Sequence, residues 1–436
     1  MSTLEVNRPR HDLPKRVLLL LTARTYRAAA FVRAATRLGI DVVRGYDMHP
    51  RLAERWQVKL GLDYQEPDRA AEAIAAFARE TPLGAIMAVD DAGTLVAAKA
   101  AARLGLPHNA PEAAEAARDK ARMRELLARH GVPAPRAKKH YFRGGDSVKD
   151  LPAIAAHLPY PVVLKPLNLS GSRGVMRADD PESFIEAAQR LQQLLEQLDP
   201  VPGPKPYLVE QYVPGEEVAL EGLLVDGRLE ILALFDKPDP LEGPYFEESI
   251  YVTPSQLSGR DQLAVRSVTA RAAEALGLRH GPIHAELRLN DAGPWLIEVA
   301  GRSIGGLCSE TLRFGPGRSL EELILRQAFG MELGDLSPAA TAGGVMMIPI
   351  PEAGLLKGVH GCEDAQAVPL VESVEITARL NYPLIPLPEG DSYLGFIFAR
   401  GESPASVEAA LREAHSKLSF DIAPQITLRV TGNGGQ

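Results

Sequence analysis

Cysteine is almost missing from this chain: two residues in 436, Cys308 and Cys362. So distant a pair makes neither a metal-ligand spacing nor a disulfide framework, and the usage fits a reducing, cytoplasmic setting. Cys308 reads as a small packed residue, with a nucleophilic role as the alternative. A concentrated basic block is missing too. The formal net charge is -8, which argues against nucleic acid and anionic membranes as partners. Long apolar runs are absent. The nearest approach is VLLLLTA, Val17 to Ala23, after Lys15 and Arg16. It is too short to span a bilayer and leads into a helical pattern rather than a cleavage site, so it reads as a buried first strand. The turn after it lacks a GxGxxG pattern, and no dinucleotide is expected there. Internal repeats and low-complexity segments are also lacking. What remains, 45% hydrophobic and 24% charged residues, describes an ordinary soluble protein of roughly two to four compact units.

Strand and helix patterns alternate at the N-terminus. Ala28, Phe31, Ala35 and Leu38 recur at helical spacing, and Gly39 ends that helix. DVVRG is a second strand, PLGAIMAVDD a further one ending in Asp90 and Asp91, and GTLVAAKAAARLGL a helix. Residues 1–110 are therefore expected to form a parallel, Rossmann-like α/β domain. EAARDKARMRELLARHGVPAP reads as one helix with Lys120 near its middle, opened by Asn109 and Pro111 and ended by His130 and Gly131. It begins a unit over 111–213 that holds the β-rich run YPVVLKP with Lys165, the Gly/Ser loop SGSRGV, and the stiff connection LDPVPGPKP. Such a loop can offer consecutive N–H groups to phosphate oxygens. Residues 332–436 read as an α+β extension. Its strands lie at GVMMIPI, VESVEITARL and SYLGFIFAR, and its helix is capped by Ser403 and Pro404 and buries Val407, Leu411, Ala414 and Leu418. The last residues, TGNGGQ, are expected to fray.

Chemistry concentrates in 214–331. GPIHAELRLNDAGPWLIEVAGR reads as a hairpin closed by the five-residue turn NDAGP. Centred on Ala292, that turn puts Glu286 opposite Glu298 on one face, His284 opposite Ala300, and sends Trp295, Ile297 and Val299 into a core. Opposed carboxylates destabilise a ladder, and a divalent cation between them removes the problem. Hard oxygen ligands suit Mg²⁺ with nucleotide phosphates, with Mn²⁺ able to substitute. The alternative is a solvated hairpin with two accidental acids. A neutral His284 is a poor ligand for such an ion and is expected to shape the pocket.

In order along the chain, a helical lysine before GVPAP, a strand lysine in VLKP, a Gly-rich loop, the segment VEQYVPGEE and a paired-Glu hairpin resemble the ATP-grasp superfamily over residues 110–330. The resemblance implies an ATP-grasp fold and assigns expected roles. Lys120 and Lys165 contact ATP phosphates and the adenine edge. Ser170, Gly171, Ser172 and Gly174 belong to a mobile phosphate lid. Glu210, Gln211 and Val213 read adenine, Glu217 accepts the ribose hydroxyls, Glu286 and Glu298 bind Mg²⁺, and Arg302 stands beside the transferred phosphate. Where many relatives carry an Asn metal ligand, this chain has Ala300. Asp90 and Asp91 either line an acceptor pocket or cap a helix.

LIEVAGRSIGGLCSETLRFGPGRSLEELILRQAFG and the tail beginning GGVMMIPIPEAGLLKGVHGCEDA resemble, more closely, the L-amino acid ligase branch. That implies an ATP-dependent carboxylate–amine ligase that works through an acyl phosphate, releases ADP and phosphate, and takes small-molecule acid and amine substrates, possible as a homodimer. Other ATP-grasp chemistry, carboxylase-like or phosphoribosylamine ligase-like, stays open, as does an inactive nucleotide-binding protein. Gly305 and Gly306 are expected to leave room beside the reacting centre. Glu248 is a candidate for holding a substrate ammonium, with a water-facing loop acid as the alternative. Tyr251 stands where a histidine is expected in some relatives.

Overall fold

The computed structural model describes residues 14–23, 25–143 and 147–424; the fraying expected of TGNGGQ falls outside them. Near the N-terminus an all-parallel sheet runs in the order Gly61–Leu62, Asp41–Asp47, Arg16–Leu21, Ala85–Ala88. Its strand Arg16–Leu21 is apolar at every inner position because both faces are covered. Leu19 and Leu21 pack with Phe31 and Ala35 on one side, while Leu18 and Leu20 pack with Ile74 and Val96 on the other. The helix Ala28–Leu38 ends at Gly39, which has φ 63°, the left-handed conformation that glycine adopts without a Cβ penalty.

The single helix expected around Lys120 is two. Pro111–Arg118 stops at Asp119, and Asp119 caps a second helix, Lys120–Arg129, by accepting hydrogen bonds from the N–H groups of Ala121 and Arg122. Lys120 therefore stands at a helix start, not in a helix middle. Asn109 does not cap the first helix, whose cap position is Ala110. It holds the chain at 279–280 instead, through the N–H groups of Arg279 and His280.

Next comes an antiparallel sheet in the order Ala137–Phe142, Lys205–Gln211, Val162–Pro166, Met176–Ala178. The helices Ser147–Ala155 and Pro181–Leu198 close its core through Leu151, Phe184 and Leu191. The largest sheet has eight strands: Gly293–Ala300, Gly281–Asn290, Glu216–Val225, Arg228–Lys237, Ile250–Thr253, Ala342–Ile348, Gly395–Gly401, Val371–Ile376. Strands from before and after residue 332 share this sheet because Tyr251 pairs with Val345. The C-terminal region is thus an outgrowth of the central sheet, with a small sheet of Pro383–Leu384, Gly354–His360 and Ser419–Ala423 beside it. Ser403 caps the helix Pro404–Lys417 in a reciprocal capping box with Ser406. Val407, Leu411 and Ala414 are buried there, and Leu418 is only half-buried. Among the described residues no helix is long and apolar enough to cross a membrane.

Candidate functional site

The hairpin pairs Glu286 with Glu298 by a route other than the expected one. Only Asp291 and Ala292 bridge Asn290 to Gly293, so the turn has two residues, with Gly293 at φ 98°. A bulge at Ile297 then absorbs one residue and restores the register, setting Glu286 against Glu298 and His284 against Ala300. It also changes which residues face the core. Leu296 and Val299 are fully buried, whereas Trp295 and Ile297 are half-buried.

Each hairpin carboxylate meets a different lysine. Glu298 lies 3.2 Å from Lys120 Nζ, which also donates to the Leu169 carbonyl at 2.9 Å. Glu286 Oε1 receives Lys237 Nζ at 3.1 Å and the Tyr251 hydroxyl at 3.4 Å, with His284 Nε2 at 3.5 Å. Repulsion between the two acids is offset by these cations. Both carboxylates present hard oxygen donors on one face, a donor set that fits Mg²⁺.

Glu210 is almost fully buried and ion-paired to Arg124 Nε at 2.7 Å and Lys165 Nζ at 2.8 Å. Burial opposes its charge, but Arg124 and Lys165 outweigh burial and hold the carboxyl below its usual range. Gln211 is exposed and uses its N–H on the Arg136 carbonyl, while the Val213 carbonyl accepts from Arg288 at 2.9 Å. Glu217 bridges Arg288 Nε and Lys237 Nζ, each at 2.8 Å. In the loop Ser170 to Gly174, Gly171, Ser172 and Gly174 have φ of 64°, 54° and 73°. The loop leans on the C-terminal region: the Gly174 N–H donates to Pro388 O at 2.8 Å and Arg173 Nε to Glu389 O at 2.7 Å.

Arg302 reaches across to the N-terminal domain, where Asp91 accepts from its Nε at 2.7 Å. Asp90 accepts from the hydroxyls of Thr22 and Thr25. Asp90 holds the N-cap position of the turn Asp91–Gly93, but neither aspartate side chain makes a capping hydrogen bond. Buried Arg27 donates to Ser303 Oγ at 2.6 Å and so ties the same domain to the segment after Arg302. Glu248 is engaged by Lys237 at 2.5 Å rather than facing water. The room expected at both glycines exists at one of them. Nothing lies within 4 Å of a Cβ built on Gly305, but at Gly306, with φ 60°, Phe396 would be 3.1 Å away and Cys308 Sγ 3.3 Å. Tyr26 and Tyr393 turn ring edges to Phe396, at 5.6 and 6.1 Å. Cys308 is buried, and burial pushes its thiol up, away from a thiolate nucleophile.

Four charged residues of this site escaped the sequence reading: Arg124, Glu221, Lys237 and Arg288. Two carried a signal. Ala233, Phe235 and Lys237 alternate as buried positions of one strand, so a lysine stood at an inward place. His284, Glu286 and Arg288 likewise share one face. Glu221, fully buried, accepts from His284 Nδ1 at 3.2 Å and from the Ile304 N–H at 3.0 Å. Burial disfavours a charged His284, but bonds to Glu221 and Glu286 prevail and push its pKa up to about 9. His284 thus stands between two carboxylates, Glu221 and Glu286, as part of the pocket wall.

With this geometry in place, three family models match. Residues 158–311 match the ATP-grasp domain, 32–108 the ATP-grasp N-terminal domain and 346–423 the L-amino acid ligase C-terminal domain 2. The chain is similar to an alanine–anticapsin ligase of Bacillus subtilis, at 28% identity over 52% of this chain and 50% of that one. It also resembles dapdiamide A synthase of Enterobacter agglomerans, at 30% identity over 45% of this chain and 44% of that one. The chain thus spans about half the length of these curated relatives. Among solved structures, an L-amino acid ligase from Bacillus licheniformis superposes with a TM-score of 0.75 at 26% identity, covering 94% of this chain and 99% of that one.

Proposed function

We propose that this chain, an ATP-grasp protein with a C-terminal domain of the L-amino acid ligase type, joins the carboxylate of one amino acid or related acid to the amine of another, at the expense of ATP. The observation that carries this reading is the Glu286–Glu298 pair, aligned on one face of a hairpin and ringed by Lys120, Lys237 and His284. The names of its relatives, ligases of amino acids, support it.

A carboxylate is a poor acyl donor because its leaving group is oxide. Moving the γ-phosphoryl group of ATP onto it gives an acyl phosphate. The amine then attacks the acyl carbon, the C–O bond to phosphate breaks, and an amide, ADP and phosphate remain. Mg²⁺, held by Glu286 and Glu298, supplies charge neutralisation at the phosphates when bound. The rest falls to positioning by this chain's own residues. Lys120 and Lys165 enter as buried cations facing the nucleotide, each preoriented by a carboxylate, Glu298 or Glu210. Glu210, Gln211 and Val213 border the adenine and Glu217 the ribose. Arg302 contributes charge beside the transferred group, with Asp91 fixing its side chain. The loop Ser170 to Gly174 excludes water that would hydrolyse the acyl phosphate. Glu248 and Tyr251 border the amino acid site. The open space at Gly305 admits a bulky side chain in at least one substrate.

An acid-by-amine substrate matrix, read by phosphate release and by chromatography of the spent nucleotide, tests this reading. The expected result is ADP and phosphate, produced only when a matching acid and amine are both present. Accumulation of AMP and pyrophosphate would mean adenylation and overturn it.

A further inference from the structure

Lys237 sits in a cage of carboxylates. Its Nζ lies 2.8 Å from Glu217 Oε1, 2.5 Å from Glu248 Oε1 and 3.1 Å from Glu286 Oε1. An ammonium has three N–H donors, and each finds a different carboxylate. The side chain is 2% exposed, and the Tyr251 ring closes one side, with its centroid 4.9 Å from Nζ. Oxygens of the same three glutamates lie within 4.8 Å of one another, a spacing that suits a divalent cation. One of them, Glu286, also belongs to the hairpin pair.

We propose that Lys237 is the resident cation of this three-glutamate cage: its ammonium occupies the place a divalent ion would take, and it positions Glu286 for the metal–nucleotide complex. That last clause rests on the ligase reading above, whereas the occupancy of the cage does not. Physically, three half-buried carboxylates this close together would repel one another without a cation, and their partial burial adds a desolvation cost. A tethered ammonium meets both costs permanently, without exchanging with solvent. It also keeps the cage from drawing a metal ion away from the neighbouring Glu286–Glu298 face. Arg288 on Glu217 and His284 on Glu286 brace the outer sides of the cage.

Counting bound Mn²⁺ by electron paramagnetic resonance, on the full chain without nucleotide, tests the proposal. Wild type and Glu248→Gln should bind the same number of ions, because Lys237 already holds the cage. Lys237→Met should bind one ion more than wild type. The added ion should vanish in the double variant Lys237→Met/Glu248→Gln, and Mn²⁺ should raise the melting temperature of Lys237→Met more than that of wild type. A Mn²⁺ site lost from otherwise wild-type protein on Glu248→Gln would overturn the proposal. So would a folded Lys237→Met that gains no ion. If Lys237→Met does not fold, the comparison of wild type with Glu248→Gln decides alone. Phosphate release in the substrate matrix is a separate readout, so failure of the cage and failure of the ligase reading give different results.

Discussion

Two ion clusters centred on buried groups invert each other's stoichiometry. Around Glu210, one carboxylate serves two cations, Arg124 and Lys165. Around Lys237, one cation serves three carboxylates. The first cluster leaves positive charge over and suits a polyanion such as a nucleotide. The second is already closed by its own ammonium, with Arg288 and His284 standing against two of its carboxylates. Both are cross-strand constructions, yet they differ in what holds them. Arg124 comes from a helix and binds the hairpin backbone at the Ile297 carbonyl as well as Glu210. Lys237 joins neighbouring strands of the one large sheet. The Glu210 cluster therefore depends on how the smaller sheet packs against the hairpin, while the Lys237 cluster depends on the registry of a single sheet and on the loop that carries Glu248.

The largest expected effect breaks the first cluster. Glu210→Leu leaves two buried cations without their carboxylate, and loss of one partner of a buried pair costs about 3–5 kcal/mol. Urea unfolding should report a loss of that size; a change below about 1 kcal/mol would show the cluster to be solvated and replaceable. Next in size, Arg302→Met should lower kcat by about 10²–10³-fold, the scale of removing one preorganised electrostatic group, with the fold retained by circular dichroism. An unchanged kcat would place the transferred phosphate elsewhere.

The two glycines offer a smaller and sharper test. Gly305→Val enters open space and should shift preference toward smaller substrates by about 1–3 kcal/mol in kcat/KM, measured across a graded side-chain series. Gly306→Ala should instead destabilise the protein by about 1–2 kcal/mol, because a left-handed backbone gains a Cβ that meets Phe396. If Gly305→Val leaves the preference order untouched, the side-chain pocket lies on another wall.

The smallest effect is in acid. The carboxyl of Glu210 is depressed below its ordinary value of 4.5. Its contribution to stability is therefore complete above that value and lost as pH falls through the lower, folded-state pKa. Wild type should lose stability on that descent more steeply than Glu210→Gln, as followed by melting temperature against pH. Parallel slopes would remove Glu210 from the acid limb. Glu298 illustrates how the clusters change an expectation. Opposed carboxylates alone suggest that Glu298→Gln stabilises the metal-free protein. With Lys120 paired to Glu298 at 3.2 Å, the substitution should bring no gain in melting temperature, and a clear gain would show that repulsion dominates.

Much of the site was legible in the chain itself. The hairpin pair followed from period-two alternation, whereas the roles given to Lys120, Lys165, the Ser170 to Gly174 loop and Glu210 came from the resemblance to the ATP-grasp superfamily. The hairpin reading rests on residues close in sequence, where backbone geometry sets direction without help from the rest of the molecule. Even there, local rules erred in detail. A run of alanines and charges read through Asp119, although Asp119 offers its carboxylate to two N–H groups and begins a second helix. NDAGP read as a long turn because turn-forming residues do not announce a bulge four residues later.

By itself, then, the amino-acid sequence determined the strand and helix alternation near the N-terminus, the pairing of Glu286 with Glu298 and the order of the short motifs at Lys120, Lys165, Ser170 to Gly174 and Glu210. Tertiary structure alone decided which cation meets which carboxylate. Lys120 and Glu298, Arg302 and Asp91, and Lys237 with its three glutamates lie far apart in the chain and meet only through packing and sheet register. An ion pair depends on distance and burial rather than on sequence spacing, and neither exists until the sheets have closed around it.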